Sequence, residues 1–493
     1  MISNELQEAR NYEKVHGERI SPSERPSFHL TPYVGWMNDP NGFSFCNGQY
    51  HMFYQYYPYR SIWGPMHWGH AVTKDLLHWT YLPAALAPDK SYDKDGCFSG
   101  SAVVLPDGRQ LLMYTGVQKT VDEKENVTEY QTQNLAVGDG TDYEKWDKNP
   151  VLTATDLPEG SSVTDFRDPK MIPAKDGLYC IVGSRPADGS GQLLLYHSKD
   201  GFQWRFKSIL IQNRNRFGRM WECPDFFPLD GKWVLLTSPQ DMLPKDLEYH
   251  NGNGTLCLIG SFDEEAGTFR EEADQAVDYG IDFYAPQTIL TEDGRRIMIG
   301  WMQNWDACSI RDSWEPWAGQ MSLPRELSIK NGRLFQWPVR ELNALRKNKV
   351  EHKNVQVQDR LELPGISGRC ADMTLKLRPK DPEAVYHKFT MRFAENSDYY
   401  TAISFRPREG KLKIDRKFSG SRRAIVHQRR SFVPDGENGV ITLRIILDRF
   451  SVEVFVNDGI TAMTCTTYTD PAAKGISFHA DGEVVMDVEK YDL

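Results

Sequence analysis

Short apolar and aromatic runs dominate this chain, each ended by Gly, Pro, Asn or Asp. QYHMFYQYY, RQLLMYTGV, LYCIVGS, KWVLLTSP and RRIMIGWMQ are examples. Runs of this length with such punctuation predict β-strands joined by turns. Helical spacing is confined to two places, Glu5–His16 near the N-terminus and Val339–Lys347.

An internal repeat refines this all-β reading. Asp75 and Trp79 return as Asp142 and Trp146, and again as Asp200 and Trp204. Each pair follows a strand-like run, at intervals of 67 and 58 residues. A period near 60 residues with several strands per unit fits the blades of a β-propeller, and about five units fill residues 25–338. Past Pro338 the texture changes. WPVRELNALRKNKVEHKN is charged, and residues 339–353 read as a linker. Beyond it, ITLRIILDRFSVEVFVNDGITAMTCTTY alternates apolar and polar positions around turns at Asp448-Arg449 and Asn457-Asp458-Gly459. That pattern predicts an antiparallel β-sandwich over 354–493, with an accessory role. Residues 1–24 form a partly helical extension.

Composition narrows the partners. A net charge of -10 over 493 residues argues against nucleic acid and against an acidic membrane face. No stretch approaches the roughly 18–20 apolar residues of a membrane span. The polar start, MISNELQEARNYEKVHGERISP, lacks the apolar core of a signal peptide, so the expected location is cytoplasmic. None of the eight cysteines falls at CxxC spacing, so free thiols are expected, with no metal and no cofactor. A homodimer through the sandwich is compatible with the pattern, but no exposed apolar stripe specifies one.

Three acidic motifs stand out in the first domain: WMNDPNG with Asp39, DFRDPK with Asp168, and WECPD with Glu222. Taken singly, each has a plainer explanation. Asn-Asp-Pro-Asn-Gly is strong turn chemistry. Arg167 beside an acid reads as a surface ion pair, which contributes little. Glu222 fits a strand-edge residue facing water. Together they fit glycoside hydrolysis, which uses two carboxylates flanking the scissile bond, one protonated and one ionised. Inner strands of successive blades converge on one axial funnel, so acids more than a hundred residues apart in sequence can share a pocket. Trp221 and Cys223 give Glu222 apolar company, and partial desolvation favours the protonated form that a general acid needs. Cys223 itself reads as a small wall residue beside Glu222. Trp36, Trp63, Trp68, Trp301, Trp305 and Trp314 divide between a sugar-stacking platform and propeller core, with the core favoured for most.

The ordered set WMNDPNG, FYQYYPYRSIWGPMHWGHAV, CFSGSAV, FRDPK, WECPD, DFYAPQT, GWMQNW and LDRFSVEVFVNDG resembles the β-fructofuranosidases of glycoside hydrolase family 32. The match runs from about Arg25 to Gly459. The resemblance implies a five-bladed β-propeller followed by a β-sandwich, and a retaining hydrolase of terminal β-fructofuranosyl bonds. It implies Asp39 as nucleophile, Glu222 as general acid/base and Asp168 as transition-state stabiliser, the last steadied by Arg167. Asn38, Gln55, Trp63, Phe98, Ser99 and Arg167 would line the fructosyl subsite, with Tyr284 and Trp301 as weaker candidates. Implied substrates are sucrose, sucrose 6-phosphate or short fructo-oligosaccharides. Arg60 and Lys119 are candidate contacts for a phosphate. A fructosyltransferase, a non-catalytic fructan-binding protein on this fold, and an inverting five-bladed glycosidase are the competing readings.

Overall fold

In a computed structural model describing residues 2–311, 315–420 and 426–493, the short strands form five antiparallel blades around one axis, counted among the described residues. From the axis outward, blade I comprises Gly35–Cys46, Gln49–Tyr57, His67–Thr73 and Thr80–Leu86. Blades II to V begin at the axis with Gly96–Val104, Phe166–Ala174, Trp221–Leu229 and Tyr284–Leu290. The ring closes where Trp317–Ala318, after the second strand of blade V, pairs in parallel with Gly35 and Trp36.

The Asp-Trp repeat marks the turn between the third and fourth strands of blades I, II and III. Asp75 Oδ1 accepts the backbone N–H groups of Leu77 and His78 at 3.1 and 2.8 Å. Asp200 Oδ1 does the same for Phe202 and Gln203 at 2.8 and 2.9 Å. In blade II, Asp139 makes these turn bonds, while Asp142 reaches Arg10 of the N-terminal helix (Asn4–Gly17) at 2.7 Å. Trp146 and Trp204 pack with Leu111, Met113 and Leu194 between blades II and III.

A second repeat lies at the axis. Every innermost strand slips its register at the same height: Met37 to Pro40, Phe98 to Gly100, Arg167 to Lys170, Glu222 to Asp225, and Tyr284 to Gln287. Such bulges turn extra residues out of the ladder and re-aim their side chains. The strain is visible at Asp168, Cys223 and Ala285, with φ of 64°, 47° and 49°. The residues just beyond the bulges tie the blades together. Gly100 N–H donates to Asn41 Oδ1, and Met171 N–H donates to Ser101 Oγ. Lys170 Nζ and Thr288 N–H both donate to Asp225 Oδ2, and Gln287 Nε2 donates to the Gly100 carbonyl. Only glycine fits at position 100, because a Cβ there would stand 1.9 Å from the Met113 carbonyl oxygen.

Residues Arg340–Leu345 form a 3-10 turn, and the first sandwich strand, Lys347–Leu361, begins inside the span read as linker. That strand pairs with the long Gly475–Asp492 strand. The latter also pairs with Ala371–Pro379 and Lys388–Glu395 and so joins both halves of the sandwich. Met373, Leu375, Phe389, Met391, Leu443, Ile445, Val454 and Phe478 fill the core between them. The sandwich is fastened to the propeller by backbone bonds, Tyr279 N–H to Ala462 O and Ile281 N–H to Thr464 O, and by buried charges. Arg325 pairs with Glu453 and with Asp278, the latter at 2.9 Å, while Arg416 pairs with Asp282 at 2.6 Å. Among the described residues no helix is long and apolar enough to cross a membrane.

Candidate active site

The axial bulges deliver Asp39, Asp168 and Glu222 from blades I, III and IV to one place. One thiol shows how close they are. Cys223 Sγ lies 3.4 Å from Asp39 Oδ2 and 3.6 Å from Asp168 Oδ2, so its single proton serves either carboxylate. Burial, with the neighbouring carboxylates, holds that thiol protonated by pushing its pKa well up. The wall residue expected beside Glu222 therefore bridges the other two acids instead.

Asp39 is buried, and Ser99 Oγ, from the bulge of blade II, donates to its Oδ2 at 2.7 Å. Burial raises its pKa to about 6 against the bonds from Ser99, Asn38 and Cys223. Asp168 is also buried. Cys223 N–H donates to its Oδ2 at 2.9 Å, and its own N–H donates to Thr115 Oγ1. Burial and the charge of Glu222 lift it to about 7, against Arg167. These directions follow from three carboxyl groups sharing a poorly solvated space.

Glu222 is not in the apolar setting that Trp221 and Cys223 led one to expect. Trp221 packs into the core and the Cys223 thiol reaches the other two acids, while the Glu222 carboxyl meets polar groups. Arg167 Nε donates to its Oε1 at 3.0 Å, and the Tyr284 hydroxyl donates to its Oε2 at 2.8 Å. Arg167 is thus engaged by Glu222 and by Asp165 (3.0 Å), with no hydrogen bond to Asp168. The Arg–Asp pair expected at the surface exists but is buried: the Arg167 side chain is 9% exposed.

The remaining candidates separate into two layers. Trp63 is 42% exposed, its ring edge-on to half-buried Phe98 at 6.0 Å. Both can meet a ligand. Asn38 accepts the Trp36 indole N–H at 2.8 Å, and Gln55 donates to the Cys97 carbonyl at 3.0 Å. Both amides are buried, and both brace the strands beside Asp39. Trp301 is fully buried against Trp36, Tyr284 and Trp305. With no exposed face it backs the site and stacks on no sugar. Trp68 is likewise core, and Trp314 lies outside the described residues. Arg60 is exposed, and Lys119 pairs with Glu129 at 3.5 Å. Sequence reasoning missed Thr115 and Asp165: Thr115 belongs to no motif, and Asp165 reads as half of an ordinary ion pair.

Among the described residues no cluster of His, Cys, Asp and Glu is arranged to hold a metal ion, and the cysteines are all free.

Comparison with known proteins agrees across the whole chain. The Glycosyl hydrolases family 32 N-terminal domain matches residues 29–338, and the C-terminal domain of that family matches residues 341–492. A raffinose invertase of Escherichia coli is 38% identical over 463 residues, which is 94% of this chain and 93% of the relative. A sucrose-6-phosphate hydrolase of Escherichia coli is 35% identical over 499 residues, 99% of this chain and 98% of the relative. A GH32 beta-fructofuranosidase of Bombyx mori superposes with a TM-score of 0.84 at 35% identity, covering 100% of this chain and 99% of its own.

Proposed function

The chain belongs to glycosyl hydrolase family 32, and from that premise we propose how this site cleaves a terminal β-fructofuranosyl bond. The enzyme is a β-fructofuranosidase acting on a small sugar. The observation that carries the mechanism is the convergence of Asp39, Asp168 and Glu222 at one height of the axis, two of them around a shared thiol. Asp39 is the nucleophile. Its Oδ2 is held by Ser99 while its Oδ1 has no hydrogen-bond partner among the described residues, which leaves that oxygen to attack C2 of the fructosyl unit. Glu222 is the acid/base: it gives its proton to the glycosidic oxygen as the aldose leaves, then takes one from the water that frees fructose. Asp168, its carboxylate held by the Cys223 N–H and its own N–H held by Thr115 Oγ1, binds fructose hydroxyls more tightly as positive charge grows at C2. A covalent step at Asp39 followed by a second displacement retains configuration.

Sucrose, sucrose 6-phosphate and raffinose share the fructosyl unit and differ in the leaving group, which is glucose, glucose 6-phosphate and melibiose respectively. Eight free thiols suit a reducing, cytoplasmic setting. The deciding assay is kcat/KM on sucrose, sucrose 6-phosphate, raffinose and inulin. A tenfold preference, about 1.4 kcal/mol of transition-state binding, assigns the leaving group. Fructose release from none of them contradicts the reading.

A further inference from the structure

We propose that Asp165, backed by Arg185, is a positioning residue that sets how much of the Arg167 charge reaches the acid/base Glu222. This rests on the acid/base reading of Glu222 and adds two residues that do not touch the reacting atoms.

The residues form a line of alternating charge. Arg185 Nη2 lies 2.7 Å from Asp165 Oδ2, Arg167 Nη1 lies 3.0 Å from Asp165 Oδ1, and Arg167 Nε and Nη2 each lie 3.0 Å from Glu222 Oε1. Ser162 Oγ also donates to Asp165 Oδ2, at 3.1 Å. Asp165 and Arg167 side chains are 13% and 9% exposed, whereas Arg185 is 35% exposed at the rim. Burial works against the Asp165 charge, but Arg167 and Arg185 outweigh it, so the carboxylate stays ionised.

Glu222 is faced by Arg167 and Asp168 from blade III, Asp39 from blade I, Tyr284 from blade V and Cys223 on its own strand. From blade II, Glu129 and Lys119 lie behind Gln131, which accepts the Phe166 N–H. Among the described residues only Arg167 brings a positive charge into direct contact with Glu222; Asp165 is the other carboxylate bonded to it, with Gln131 Oε1 at 3.5 Å and Asp168 acting on it without a hydrogen bond. An acid/base must carry its proton in one step and lose it in the next. An unshared guanidinium would favour the ionised form and starve the first step; Asp165 divides that charge and fixes the plane of Arg167.

The two charges in this line act with opposite sign, and the test uses that. The pH dependence of kcat/KM is measured on sucrose and on an aryl β-fructofuranoside whose leaving group needs no proton, for Asp165→Asn, Asp165→Glu, Arg185→Ala and Glu222→Gln. Asp165→Asn should move the alkaline limb on sucrose down by about half a pH unit or more. Arg185→Ala should move it up, by less, since Arg185 is partly in water. Asp165→Glu should restore most of the parent profile, and the aryl substrate should show little change in any of the three. If Asp165→Asn does not fold, the upward shift of Arg185→Ala still decides. Uniform losses at every pH on both substrates, or limbs that move together, overturn the proposal. Equal loss on both substrates in Glu222→Gln would instead overturn the acid/base reading beneath it.

Discussion

Ser99 donates its hydroxyl proton to Oδ2 of Asp39 across 2.7 Å, and the two residues come from the bulges of adjacent blades. The bond favours ionised Asp39 against the burial that raises its pKa to about 6. Ser99→Ala should therefore raise that pKa further and move the acid limb of kcat/KM upward. Activity should fall more at pH 5 than at pH 7.5, with the melting temperature nearly unchanged. An acid limb that stays in place would separate Ser99 from the charge state of Asp39.

The same acids weaken the fold. Both Asp39 and Asp168 have folded pKa values, about 6 and about 7, above the roughly 3.9 of an unfolded aspartate. The native state thus binds more protons in that window, and the stability it gains there is lost as pH rises from about 4 to 7. Asp39→Asn and Asp168→Asn should each melt about 2 °C or more above the parent protein at pH 8. The gap should close at pH 4. A lower melting temperature at pH 8 would show that these carboxylates stabilise the fold.

Glu222→Gln should remove most activity on sucrose and much less on a fructoside with a good leaving group, because only the former needs a proton in the first step. A loss near 10²–10⁴-fold on sucrose is the scale expected of a general acid. Product release measured on both substrates checks this, and equal losses count against the acid role.

The sequence made the propeller legible through a feature of its periphery. Asp75 and Asp200 each close an Asx turn, which requires Asp or a near equivalent, while in blade II that part falls to Asp139 and the repeat's Asp142 sits at the other end of the same turn. The repeat at the axis was harder to see. Asp39-Pro40-Asn41, Asp168-Pro169-Lys170, Cys223-Pro224-Asp225 and Ala285-Pro286-Gln287 occupy equivalent bulges, while blade II places Ser99-Gly100-Ser101 there. What recurs is the register slip, a proline in four of the five blades and a polar residue after it, and the first residue varies because each blade contributes a different group. The three acids could be read from their motifs. Their partners could not: Arg167 meets Glu222 across 55 residues, and Cys223 meets Asp39 across 184. Trp301 lay in a matching motif yet is wholly enclosed, since adjacent aromatics at the axis bury one another.

The junction of propeller and sandwich carries its own pH dependence. His29 Nδ1 faces Asp448 Oδ2 at 2.8 Å and its Nε2 faces Glu453 Oε1 at 3.0 Å. Burial alone would discharge the ring, but the two carboxylates outweigh it and lift its pKa to about 9. The stabilisation is complete below the unfolded value near 6.5 and is lost as pH rises through about 9. Thermal melts should therefore fall between pH 7 and pH 10, by the equivalent of about 3 kcal/mol. His29→Gln should be less stable at pH 7 and show a flatter alkaline slope. An unchanged slope in the variant would place the alkaline loss elsewhere.

The central claim is a covalent bond between Asp39 and C2 of fructose. Glu222→Gln turning over an aryl β-fructofuranoside isolates it, since the first step proceeds without an acid while the second lacks its base. Rapid acid quench followed by peptide mass spectrometry should find a fructosyl adduct on the peptide that carries Asp39, and none on peptides carrying Asp168 or residue 222. An adduct on either of those, or no adduct together with first-formed fructose of inverted configuration, would contradict the account.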